Sequence, residues 1–234
     1  MRRNFIVMCV LSLFLFNQNV TGQSLGLNLS FAFPQGDFKE NLDTFGWGGA
    51  LEGLLPLHPV VSAGLNVGFY NYGNETRNEP WSMTIPDVTL EVTRSNNIAN
   101  FHLFLRLAPP NMTFKPYLDL LAGGSYLYTE TSVYSEKGVY QNNEEIASTN
   151  TIDDFAWSYG VGAGFMFKVM DLPSQQEGMD AELYIDLKAR HLWGTEAAYL
   201  REGDVTIANG KVYFKPRQSK TDLLTIHLGA VVLF

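Results

Sequence analysis

From Leu25 to Phe234, apolar residues recur at every second position in runs separated by turn residues. Successive side chains of a strand point to opposite sides, so this spacing predicts strands with two unlike faces. In the first run Leu25, Leu27, Leu29, Phe31 and Phe33 share a face opposite Gly26, Asn28, Ser30 and Ala32. A second covers residues 47–55. In the third Val61, Leu65, Val67 and Phe69 oppose Ser62, Gly64, Asn66 and Gly68. The fourth, residues 88–107, ends with Phe101, Leu103, Leu105 and Leu107 against His102, Phe104 and Arg106. The fifth begins near Tyr117, with Leu118, Leu120, Ala122, Tyr126 and Tyr128 opposite Asp119, Leu121, Gly123 and Ser125. The sixth sets Phe155, Trp157, Tyr159, Val161, Phe165 and Phe167 against Ser158, Gly160, Gly162, Gly164 and Lys168. The seventh sets Leu183, Ile185, Leu187, Ala189 and Trp193 against Tyr184, Asp186, Lys188 and Arg190. The last ends the chain, with Ile226, Leu228, Ala230, Val232 and Phe234 on one face. No helical period competes with these runs.

The connections alternate in length. Residues 58–59, 109–115 and 171–178 are short links; residues 34–46, 73–87, 130–154 and 195–220 are long and polar. Short turns on one side and long loops on the other are the arrangement of a transmembrane barrel, with both termini on the periplasmic side. The predicted fold is therefore all-β: a closed, eight-stranded, antiparallel up-and-down transmembrane barrel.

Alternation alone does not say which face meets which solvent. A secreted ligand-binding barrel would turn its apolar face inward. Here the face opposite the Leu, Val and Phe residues carries mid-strand charges of both signs, and these suit a closed polar lumen. Spanning a belt of about 25 Å at ~3.3 Å per residue and ~40° tilt takes roughly ten residues. Aromatic residues recur at that separation. Phe33, Trp47, Phe69, Tyr128, Trp157 and Trp193 are expected in an outer girdle, and Tyr117, Phe167 and Phe234 in an inner one.

The amino terminus agrees with this compartment. Met1-Arg2-Arg3-Asn4 is basic, residues 5–16 are apolar, and Val20 and Gly22 occupy the −3 and −1 positions of a cleavage site. Residues 1–22 read as a secretory signal peptide and residues 23–234 as the barrel. Cys9, the single cysteine, falls in the leader, which leaves the mature chain without a thiol or disulfide. Loss of Arg2 and Arg3 carries the formal charge from −8 to −10, a poor balance for binding nucleic acid. No mature stretch approaches the roughly 18 apolar residues of a membrane-spanning helix.

The best-defined candidate site is the lumen. Glu52, Arg106, Asp119, Lys168, Asp186, Lys188 and Arg190 all take the inward parity. An eight-stranded barrel is just wide enough for side chains to fill, so these charges are expected to pair into a plug. A gated ion path through that plug is the sharper alternative. His102 and His227 share the parity, but two histidines make a poor zinc site, and no metal or cofactor is expected. Ser158 near Asp153 and Asp154 is the sole candidate for a hydrolytic centre. It lacks a third member at a recognisable spacing. Residues 130–154 carry Glu130, Glu136, Glu144, Glu145, Asp153 and Asp154 against Lys137, which reads first as a solvated loop. Trp81 in the second long loop hints at recognition by an ordered segment.

The leader, the alternating strands from Leu25 and the 224–234 ending together resemble the small eight-stranded bacterial outer-membrane barrels of the OmpA-like, OmpX and OmpW type. The short segments 34–38 and 95–98 also look like an uncharacterised outer-membrane β-barrel family. Full-length OmpA carries a peptidoglycan-binding domain after its barrel, and no such tether is expected here. The resemblance implies a Gram-negative outer membrane, contact with its lipid and lipopolysaccharide, and an assembly signal read by the barrel-assembly machinery at Ile226, Leu228, Ala230, Val232 and Phe234. It implies a structural or porin-like, non-enzymatic protein with a filled lumen and four extracellular loops open to an external ligand. A narrow channel and a lipid-modifying enzyme are the alternatives.

Overall fold

The computed structural model describes residues 22–82, 85–110, 112–135, 144–172, 181–201, 203–208 and 211–234. Except for Gly22, the expected leader lies outside these residues, as do Glu136, Lys137 and the side chains of Trp81, Glu144 and Glu145. Eight long strands close into one antiparallel barrel: β1 (Ser24–Pro34), β2 (Gly46–His58), β3 (Val61–Ser82), β4 (Ile85–Leu107), β5 (Phe114–Ser135), β6 (Glu144–Leu172), β7 (Ala181–Gly194) and β12 (Leu223–Leu233). Each strand pairs with the next in sequence, apart from the step from β7 to β12. Closure is by β1 on β12, from Ser24 opposite Leu233 to Pro34 opposite Leu223, so no edge is left open in the wall.

The apolar face points outward. Leu103 is 68% exposed on the outer wall and its neighbour His102 only 1%. Leu27, Leu51, Leu118, Leu120 and Leu228 are exposed in the same way, while Asn28, Glu52, Asp119, Arg190 and His227 are buried inside. An apolar belt encircling the molecule far exceeds the few hundred Å² that a water-soluble monomer shows in one patch, so its solvent is lipid. No helix among the described residues is long and apolar enough to cross a membrane. The wall itself is the membrane-spanning unit, and the barrel is of the bacterial outer-membrane kind.

Aromatic rings mark both edges of the belt. On the long-loop side Tyr126 stacks on Tyr128 (5.5 Å), and Phe155 meets Trp157 edge-on (5.2 Å). On the short-turn side Phe114 packs on Phe165 and Phe167 at 5.7 and 4.9 Å. Tyr117 is not among the lipid-facing rings. It has the parity of Asp119, is 3% exposed and points into the lumen, so Phe114 takes the girdle position expected for it.

All four long connections are more ordered than a loop reading implies. β3 and β4 stay paired out to Ser82 opposite Ile85, and β5 and β6 out to Ser135 opposite Glu144. Four strands therefore continue beyond the belt as a protruding sheet. Water wets both faces there, so the apolar alternation that marks a half-buried strand disappears while the pairing continues. Residues 34–46 contain a short helix, α1 (Gly36–Leu42), which buries Phe38 and Leu42 and ends at Asp43 in the left-handed region (φ 43°). The last connection folds into two small hairpins, β8 (Glu196–Tyr199) on β11 (Arg217–Lys220) and β9 (Val205–Ala208) on β10 (Lys211–Phe214).

α1 and the β8–β11 hairpin form a cap. The Phe38 ring meets Tyr199 edge-on at 4.9 Å, and Arg201 Nη1 donates to the Asn41 carbonyl at 3.1 Å. Arg217 Nε donates to Asp204 Oδ2 at 3.0 Å, a bond that holds the guanidinium above its usual pKa range. Phe38, Leu42 and Tyr199 belong to one buried apolar cluster with Ala32, Tyr70, Ile98, Leu127, Leu192 and Leu223, inward-facing residues from the upper wall.

Candidate functional site

Six of the seven expected lumen charges meet in one buried network. Arg106, on β4, grips Asp119 of β5 with Nε to Oδ1 at 2.8 Å and Nη2 to Oδ2 at 2.9 Å, a bidentate pairing between direct ladder partners. Arg190 reaches the same carboxylate from β7, Nη2 to Oδ2 at 2.6 Å. Glu52 on β2 takes Lys188 Nζ at 2.8 Å and lies 2.7 Å from Arg190 Nη1, an ion contact without hydrogen-bond alignment. Lys188 also donates to Asp186 Oδ2 at 2.8 Å and Asn28 Oδ1 at 3.2 Å, and Asn66 Nδ2 donates to Glu52 Oε1 at 3.3 Å.

These six groups are three carboxylates and three cations, each 3% exposed or less. Burial strips all of them of water, and the mutual contacts return that cost only while every partner is present. Aromatic faces complete the shell: the Arg106 guanidinium lies 3.7 Å from the Tyr117 ring centroid, and Arg190 lies 5.0 Å from that of Phe104. Tyr117 donates its hydroxyl proton to Asp186 Oδ1 at 2.5 Å.

Lys168 is the exception. It shares the inward parity but sits at the short-turn rim, a quarter exposed, where Nζ meets Asp171 Oδ1 and Glu182 Oε1, both at 2.6 Å. Parity follows the strand past the end of the closed lumen, so it cannot tell a lumen position from a rim position.

The wall's glycines make room for these groups. Gly162 on β6 is the ladder partner of both Asp119 and Arg190, and a Cβ there would stand 2.6 Å from Arg190 Cγ. At Gly164 a Cβ would meet the Tyr117 hydroxyl at 2.5 Å.

Above the charges lie two Ser–His pairs. His102 Nε2 and Ser158 Oγ are 2.7 Å apart across Gly123, and His227 Nδ1 and Ser30 Oγ are 2.7 Å apart on neighbouring strands. His227 Nε2 is 2.9 Å from Thr225 Oγ1. Ser158 and the aspartates expected beside it do not form a triad. Ser158 Oγ faces the lumen, and the Asp154 carboxylate accepts the backbone N–H groups of Phe155 (2.8 Å) and Ala198 (2.7 Å). Among the described residues no group of three or more His, Cys, Asp or Glu could hold a metal.

Apolar stoppers lie at either end of the lumen. On the long-loop side this is the cap cluster of Phe38, Leu42 and Tyr199. On the short-turn side Tyr117, Met166, Tyr184 and Val231 pack together, with Ala108 and Leu233 against them.

Sequence reasoning missed the outward face of the protruding sheet. The strands pair so that Asn74, Ser95, Glu130 and Asn150 form one row, and Thr76, Thr93, Ser132 and Ser148 the next. A third row contains Asn78, Glu91 and Tyr134. Hydroxyls bond along the rows, Thr76 to Thr93 at 3.2 Å and Ser132 to Ser148 at 3.4 Å, and Ser148 donates to Glu130 at 2.7 Å. The Ser and Thr content of these segments is the available signal, but without register it cannot be arranged into rows.

No protein-family model matches this sequence, and neither does any curated protein. Among solved structures the chain is similar to a major outer membrane protein of Thermus thermophilus, at 12% identity and a TM-score of 0.42, covering 91% of this chain and 99% of that one. It is similar to Neisserial surface protein A, at 10% identity and a TM-score of 0.37, covering 91% and 95%. It is also similar to the attachment invasion locus protein Ail of Yersinia pestis, a structure in complex with the heparin analogue sucrose octasulfate, at 15% identity and a TM-score of 0.35, covering 92% and 97%. Likenesses this distant carry no functional weight, and the reading of the wall rests on its own exposed apolar belt and closed ladder.

Proposed function

We propose that the chain is a non-enzymatic outer-membrane barrel whose lumen is a structural plug and whose work is done by its outer, ordered surface. The observation that carries this reading is the pairing of Glu52, Asp119 and Asp186 with Arg106, Lys188 and Arg190 between two apolar stoppers. Charges tied to one another in this way have little freedom to bind a passing ion, and among the described residues apolar clusters flank them toward both ends. On this reading the barrel is an anchor, and the cap and protruding sheet are its presenting surface. Its partners are the outer-membrane lipids, lipopolysaccharide among them, the assembly machinery that engages β12, and an external ligand met by the loops.

The test is planar-bilayer recording on refolded protein. The expected trace is flat at physiological salt; a large, stable conductance overturns the plug in favour of a channel. A lipid-turnover assay on the same preparation is expected to show none. Turnover that vanishes with Ser158→Ala would overturn the non-enzymatic reading.

A further inference from the structure

The outward face of the protruding sheet continues the lipid-facing side of the wall, through a register shift on β3 and one on β6, but not its chemistry. On β5 the series runs Leu118 and Leu120, then Tyr126 and Tyr128 in the girdle, then Ser132 and Tyr134 beyond it. Each further row stands roughly 5 Å higher, at ~3.3 Å per residue and ~40° tilt, so three rows rise about 15 Å above the hydrocarbon. A phospholipid headgroup layer is only about 5–8 Å deep on each side and would wet little more than the first row. The platform matches a leaflet with taller headgroups.

Its chemistry narrows the class of headgroup. Hydroxyls such as Thr93 and Ser132 donate and accept, carboxylates such as Glu91 accept, and the Tyr134 ring offers a flat apolar face. Thr93, Glu91 and Tyr134 line a shallow depression of about 440 Å³ together with Asn74, Thr76 and Ser95. Among the described side chains of this face there is no Lys or Arg, so phosphate or sulfate would meet carboxylates without a counter-charge. The opposite face of the same sheet carries the Arg94–Glu75 ion pair at 3.1 Å.

We infer that this face is a docking platform for the uncharged sugars of outer-leaflet glycolipids, with Tyr134 stacking on a sugar ring and the Thr76–Thr93 hydroxyls and Glu91 bonding its hydroxyls. The inference rests on the outer-membrane reading above and names the partner of that surface.

The test is carboxylate footprinting by a carbodiimide, read residue by residue by mass spectrometry. The full chain is inserted in vesicles of phosphatidylcholine, of phosphatidylcholine with a sugar-bearing lipopolysaccharide, or with the same glycolipid stripped of its core sugars. Glu91 and Glu130 should react several-fold more slowly with the sugar-bearing lipid than with the stripped one, while Glu75 on the reverse face keeps one rate. The double variant Thr93→Val, Tyr134→Ala should lose that slowing while retaining heat-modifiable mobility, and Tyr134→Phe should keep it. Equal rates in the two glycolipids overturn the proposal. So does slowing by free core oligosaccharide without any glycolipid effect, which would indicate a soluble glycan. Slowing that persists in the double variant overturns the assignment to these residues. Failure to insert into any vesicle would overturn the outer-membrane reading as well as this proposal, and is distinguishable on the mobility gel.

Discussion

Arg190 Nη2 lies 2.6 Å from Asp119 Oδ2, although the two residues belong to β7 and β5, which are not neighbours. β6 runs between them, and the position it contributes there is Gly162. The missing side chain lets the ion pair pass over the intervening strand. Asp119 thereby serves two guanidiniums, and the plug is tied around the lumen rather than along single ladder steps.

Replacing Asp119 with Leu leaves Arg106 and Arg190 short of an anion in a site that water does not reach. Loss of one partner from a buried ion network costs about 3–5 kcal/mol. The urea midpoint for unfolding from lipid vesicles should fall accordingly, with protease accessibility of the loops unchanged. Adding Arg106→Met should return part of the loss, because it removes the cation left without its bidentate partner. An unaltered midpoint in Asp119→Leu would refute the pairing.

Gly123 sits between His102 and Ser158, and a Cβ there would stand 2.0 Å from the Phe101 carbonyl oxygen and 2.8 Å from His102 Cα. Both are backbone atoms and cannot step aside. Gly123→Ala is expected to block formation of the heat-modifiable barrel. Gly73→Ala is the control, since its nearest atom is Asn96 Nδ2 at 3.4 Å, and it should fold normally. Equal folding of the two variants would show that the wall at Gly123 can open.

The lipid wall is legible because a strand with two unlike solvents must alternate, and period two is the strongest signal a sequence carries for strands. The same logic puts Glu52, Arg106, Asp119 and Arg190 inside. It fails where one of its premises lapses. Beyond the belt both faces of β3 to β6 are wet, so strands of Thr, Ser and Asn read as loops. At the rim, parity outlasts the lumen, and Lys168 reads as a plug residue. Tyr117, placed by residue type, falls in the girdle against its own parity. α1 has seven residues, too few for a helical period to stand out. Register, and with it the rows on the protruding sheet, depends on pairings that no single strand encodes.

The cap offers a separate test. Phe38 is fully buried against Tyr199, and truncating a buried Phe to Ala costs about 3–5 kcal/mol. That loss should be confined to α1 and the β8–β11 hairpin, since their contacts with the wall lie above the charge network. Phe38→Ala should therefore accelerate protease cleavage within residues 195–220 and leave the heat-modifiable barrel band unchanged. Cleavage at the wild-type rate would mean that the cap does not depend on this contact.

The end of the chain separates stability from assembly. The Phe234 N–H donates to the Gln23 carbonyl at 2.8 Å, while the ring is half exposed at the inner edge of the belt. Deleting Phe234 removes this one backbone hydrogen bond, worth about 1 kcal/mol, from a ladder that β1 and β12 otherwise keep. Refolding from urea into vesicles should therefore be only mildly weakened. In cells the deletion should leave misassembled protein in the periplasm if the machinery reads the terminal aromatic. Phe234→Ala keeps the backbone bond and loses only the ring, so it should refold like wild type and still assemble poorly. Normal heat-modifiable mobility of both variants isolated from cells would remove the assembly role of this residue and leave β12 as a closing strand alone.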